Sequence, residues 1–156
     1  MENFFSLNDY VKSIQEYKKW IDTEMPKYRN DTCDLRFLCF RRATKYFPDD
    51  IVANTKVVVL SNNEELPLHP MEKKLFTTSV ISVMYNYVIF TTERFLSESL
   101  IFHELVHCVQ QKTLGNDNYI STYCSGIFNY VIQLLRLNFA LTFYKRNMRI
   151  ETSRKM

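Results

Sequence analysis

The chain predicts an α+β fold, mainly helical, in which a small mixed sheet packs against one central helix and a long apolar helix backs it. Three observations carry that prediction. Only 2 glycines and 4 prolines occur in 156 residues, which disfavours turn-rich all-β architectures. Two stretches, Lys56 to Leu60 and Val80 to Thr91, are rich in β-branched and aromatic residues, as strands are. Two others, about Glu98 to Leu114 and about Tyr119 to Arg146, are long enough and apolar enough to be buried helices.

In chain order, the opening helix runs roughly from Asn8 to Glu24, with Tyr10, Ile14, Tyr17 and Ile21 at three-to-four spacing before Pro26. A second helix is expected from Asp31 or Thr32 through Leu35, Leu38 and Ala43. It ends before Pro48, because proline disfavours the helical state of its predecessor. Lys56 to Leu60 follows as a buried strand, and the polar, proline-bearing stretch from Ser61 to Lys74 reads as its exit loop. Val80 to Thr91 forms one long strand or folds back near Asn86 as a hairpin. Ser97 is the expected N-cap of the third helix and Gly115 its closing residue. In the last helix, Ile127 to Tyr144 has nearly the length of a membrane span. It carries Asn129, Gln133, Arg136 and Asn138, which fit a buried helix better.

Length and 46% hydrophobic residues suit a single domain over 1–156, with 1–50 a helical segment of unassigned role. A formal charge of +3 without clustered Lys or Arg argues against a nucleic-acid partner. Cys33, Cys39, Cys108 and Cys124 form no CxxC pair, and the first nine residues lack the basic and apolar regions of a secretory signal. The expectation is reduced thiols and a cytoplasmic protein with no membrane segment.

The chemistry lies in the third helix, where His103-Glu104-Leu105-Val106-His107 reads H-E-x-x-H. Residues four apart stand one above the other, so two imidazoles can reach one Zn²⁺ at about 2.0–2.1 Å. Glu104 lies about 100° round from His103, beside the metal and suited to act as general base. Ile101, Leu105 and Cys108, with Phe102, Val106 and Val109, are expected to form one apolar arc facing away from both histidines. Cys108 falls on that arc as a small buried thiol. His69, in a loop, reads as a solvent-exposed histidine.

A catalytic zinc takes three protein ligands and keeps one position open. Gln110 and Thr113 occupy the Gly and His positions of the metzincin pattern and so exclude it. Downstream of His107 the acidic residues are Asp117 and Glu151. Asp117 sits in the Gly115-Asn116-Asp117-Asn118 turn, where an Asp is ordinary, so Glu151 is preferred.

The run from His103 to Gln111, then Gly115, an aromatic-rich helix and Tyr144 to Thr152, resembles short microbial gluzincin-like zinc metallopeptidase domains of the minigluzincin type. These often read H-E-L-x-H-x-x-Q followed by a tail like Y-x-x-N-P-x-E-x-E-A. The resemblance covers residues 56–154 and implies a zincin-like fold whose edge strand borders the substrate cleft. It also implies that His103, His107 and Glu151 hold zinc and that Glu104 is the base. Met148, Arg149 and Thr152 depart from the family tail.

The implied activity is peptide-bond hydrolysis by a zinc-bound water, with Glu104 taking its proton. The alternative is a zincin-shaped binding module, inactive or latent, that acts through protein–protein contact. The expected partner is a peptide or protein substrate; the apolar C-terminal helix is read as a backing helix, with homodimerisation through its surplus apolar face as the alternative.

Overall fold

The computed structural model describes residues 7–38, 40, 45–75, 80–127, 129 and 133. It is α+β, with helices around a mixed four-stranded sheet. The chain divides into two compact units, residues 1–120 and 121–156.

In the first unit, helix α1 (Leu7–Glu24) runs into a short 3₁₀ turn, Met25–Tyr28, in which Pro26 supplies its fixed backbone angle near the start. Strand β1 (Cys33–Asp34) pairs antiparallel with β2 (Lys56–Leu60), and Lys56 Nζ meets the Asp34 carboxylate opposite it at 2.9 Å. Between these strands lie a 3₁₀ turn, Leu35–Leu38, and helix α2 (Asp49–Asn54). Residues 33–38 therefore do not form the α-helix that the spacing of Leu35 and Leu38 predicts. Pairing of Cys33 and Asp34 with β2 takes the backbone hydrogen bonds that a helix would have used. Ala43 lies outside the described residues.

Strand β2 runs parallel to β4 (Val88–Thr92), which pairs antiparallel with β3 (Ser82–Tyr85), so the sheet order is β1-β2-β4-β3 and β3 is an edge. The Val80 to Thr91 stretch is a hairpin. Asn86 and Tyr87 both take positive φ, 47° and 65°, which matches the twist of a two-residue turn.

The two faces of the sheet alternate residue by residue. Val57, Met84 and Ile89 face helix α4 (Glu98–Leu114) and α2, where they join Leu35, Ile51, Val52, Ile101, Leu105 and Cys108 in one buried cluster. The opposite face carries Tyr85 and Phe90. Against it stand Tyr17 and Trp20 of α1, 6.2 and 5.1 Å from Tyr85 between ring centroids, and Tyr28, 5.0 Å from Phe90.

The stretch expected to be an exit loop contains a further helix, α3 (Pro70–Leu75). Its Glu72, 1% exposed, accepts hydrogen bonds from the Tyr17 hydroxyl at 2.8 Å, the Tyr85 hydroxyl at 2.6 Å and the His69 backbone N–H at 2.7 Å. A buried carboxylate needs such donors, and here they pin α3 to both α1 and β3.

The second unit is helical over 121–127, with Cys124 and Ile127 buried. The remainder of the predicted long helix lies outside the described residues. No helix among the described residues is long and apolar enough to cross a membrane.

Candidate metal centre

Helix α4 is bounded as its sequence predicts. Ser97 accepts a hydrogen bond from the Leu100 N–H at 3.3 Å, and Gly115 closes the helix with φ 76°. Three residues fix the C-terminal end in place. Lys112 pairs with Asp50 of α2, while the buried Gln111 amide donates to Asn86 at 3.1 Å and to Asn116 at 2.6 Å.

On the outer side of α4, His103 is exposed and His107 half-buried. Their Nε2 atoms lie 3.2 Å apart and their rings are nearly perpendicular, at 82°. Two tetrahedral ligands at about 2.0–2.1 Å from zinc stand about 3.3 Å apart. The pair therefore has the spacing of two cis ligands to one cation. His107 Nδ1 is 2.9 Å from Gln110 Oε1.

Glu104 occupies the border between this side and the core. It is 4% exposed, and its Oε1 accepts a hydrogen bond from the Ser82 hydroxyl of edge strand β3 at 2.5 Å. Its neighbour Tyr119 feels the same carboxylate. Burial first, then the charge of Glu104, pushes the Tyr119 hydroxyl pKa well up, which keeps it protonated and able to donate.

The apolar arc of α4 differs from the expected one. Ile101, Leu105 and Cys108 are buried, whereas Phe102 and Val106 are 39% and 40% exposed. Viewed down the helix, Phe102 and Val106 fall on the far side of His103 from Glu104. The inward arc instead takes in Glu104, held by Ser82, and Gln111, whose amide nitrogen donates twice while its buried oxygen has no partner among the described residues. Phe102 rests on Phe47, 4.8 Å away between centroids. Cys108 is fully buried, within 3.6 Å of the Thr55 hydroxyl that donates to it, and burial raises its pKa to about 11. It is an inert thiol at neutral pH.

Of the two third-ligand candidates, Asp117 is held by Lys18 of α1 at 2.6 Å, and Glu151 lies outside the described residues. Among the described residues no group of three His, Cys, Asp or Glu stands close enough to share a metal. His69 is half-buried, with its ring 4.8 Å from Tyr17 and 5.4 Å from Trp20, so it is a packed residue of the α1 face and not the exposed loop histidine expected. Its Nδ1 accepts from the Met71 N–H at 3.2 Å, and burial lowers its pKa.

The sequence reading gave Gln110 no role beside His107 and did not name Ser82 at all. Gln110 had a visible signal, since three residues beyond His107 is contact distance on a helix. Ser82 had none, because its place opposite Glu104 depends on which face of β3 meets α4. No family model, curated protein or solved structure matches the chain.

Proposed function

We propose that this chain is a zincin-like, gluzincin-type zinc metallopeptidase that hydrolyses peptide bonds. The observation that supports this reading is the convergence of His103 Nε2 and His107 Nε2 to 3.2 Å, with the Glu104 carboxylate one residue away and held by a strand edge. Zinc held by these histidines would supply Lewis acidity and, at neutral pH, a stronger nucleophile than bulk water. His103 and His107 hold the cation. Glu104 takes the proton of the attacking water and returns it to the leaving amine nitrogen. Ser82 holds one carboxylate oxygen, so that the other is free to take up that proton.

A second reading has an observation in its favour. Glu104 is 4% exposed, which suits a latent site or a binding module whose carboxylate is structural. Metal analysis of the purified protein beside His103→Ala, Glu104→Gln, Glu151→Gln and Asp117→Asn, with peptide cleavage measured on each, separates the two. The metallopeptidase binds one zinc, loses it in His103→Ala and Glu151→Gln, and keeps it without turnover in Glu104→Gln. Zinc loss in Asp117→Asn alone would move the third ligand to Asp117. Bound zinc with no cleavage of any peptide or protein would favour the binding module.

A further inference from the structure

We infer that Gln110 is a positioning residue that presets His107 for metal binding by fixing its tautomer. The inference rests on the metal-centre reading above. Gln110 Oε1 lies 2.9 Å from His107 Nδ1, and an amide oxygen only accepts, so the proton of that hydrogen bond sits on Nδ1. The proton of a neutral imidazole is then absent from Nε2, whose lone pair points at the position where His103 Nε2 also converges, 3.2 Å away. His103 has no such support: its Nδ1 makes no hydrogen bond among the described residues. The two histidines are therefore unequal. His107 is prepared before a cation arrives, and in the metal-free state the 3.2 Å contact is satisfied by an Nε2–H of His103 donating to the bare Nε2 of His107. Binding then requires a proton move on His103 alone.

The spacing makes the device local. Gln110 is one turn beyond His107 on the same helix and exposed, so its substitution leaves the buried face of α4 untouched. Outer hydrogen bonds of this kind typically change metal affinity roughly 10- to 100-fold when removed. Gln110→Leu deletes the acceptor, whereas Gln110→Glu restores one.

Two measurements test it. Nitrogen-15 NMR of the metal-free wild type should show His107 protonated at Nδ1, and Gln110→Leu should shift it towards the Nε2–H form, with His103 moving the opposite way, towards Nδ1–H, to accept across the 3.2 Å contact. Titration with Zn²⁺ alone should give a Kd roughly 10- to 100-fold weaker for Gln110→Leu, recovered in Gln110→Glu. An unchanged His107 tautomer in Gln110→Leu, or an unchanged Kd, overturns the inference. A wild type that binds no zinc overturns the metal centre instead, and the tautomer measurement, which needs no metal, still decides the role of Gln110.

Discussion

Glu104 is under two opposed demands, because a general base must meet water while a carboxylate inside a protein needs donors. The Ser82 hydroxyl at 2.5 Å meets the second demand for one oxygen. Glu104→Gln keeps the shape and an acceptor for Ser82 but cannot take a proton. If the proposed activity is correct, kcat falls about 10²- to 10⁴-fold with zinc content unchanged. Full activity in that variant would remove Glu104 from the chemistry. Ser82→Ala leaves the carboxylate without its donor, and a hydrogen bond to a charged group is worth about 1.5–3 kcal/mol, so urea denaturation should show a loss of that size. A loss under about 0.5 kcal/mol would mean that water replaces the hydroxyl.

At the scale of elements, the short helix α3 acts as a peg, because Glu72 gathers donors from α1, from β3 and from its own N-terminal turn. Glu72→Leu removes the acceptor that two hydroxyls and a backbone N–H share, and the expected loss is about 3–5 kcal/mol by chemical denaturation. A loss below about 1 kcal/mol would show that these groups find other partners. Gly115→Ala meets no atom within 4 Å, so its effect comes from the backbone alone, φ 76° with ψ 157°, about 1–3 kcal/mol. These elements also mark what the sequence could and could not reveal. Helix α4 and strand β2 were legible to the residue, because a cap, a closing glycine and a β-branched run are local signals. The segment 33–38 was not, since Leu35 and Leu38 have helical spacing in either conformation and only the pairing of Asp34 with Lys56 decides between them. Helix α3 was hidden because six residues beginning with a proline look like a loop until Tyr17 and Tyr85 arrive from elsewhere in the chain. The two imidazoles were legible from their four-residue interval, while the partner of Glu104 required knowing that Ser82 and Met84 share the face of β3 turned to α4.

For the molecule as a whole, the buried acids of the first unit set its response to alkali. Cys108 ionises at about 11 in the fold, against an ordinary value of 9.0, mainly because burial disfavours the thiolate. Tyr119 is raised in the same direction by burial and by the charge of Glu104. Between these values the unfolded chain has released a proton that the folded chain still holds, so stability falls as pH rises. The Cys108 contribution is fully present below pH 9.0 and is lost as pH passes from there to about 11. At about 1.4 kcal/mol per pH unit, it amounts to about 3 kcal/mol. Urea denaturation of the metal-free protein at half-unit steps from pH 8 to 11.5 measures it. Cys108→Ala is less stable throughout because it leaves a cavity, but its stability should fall less steeply over that window than the wild type's. The difference in slope reports the thiol together with its charge coupling to Tyr119 and Tyr87. Identical slopes would mean that Cys108 meets water in the folded state, against its complete burial beside Thr55 in the cluster it shares with Leu105.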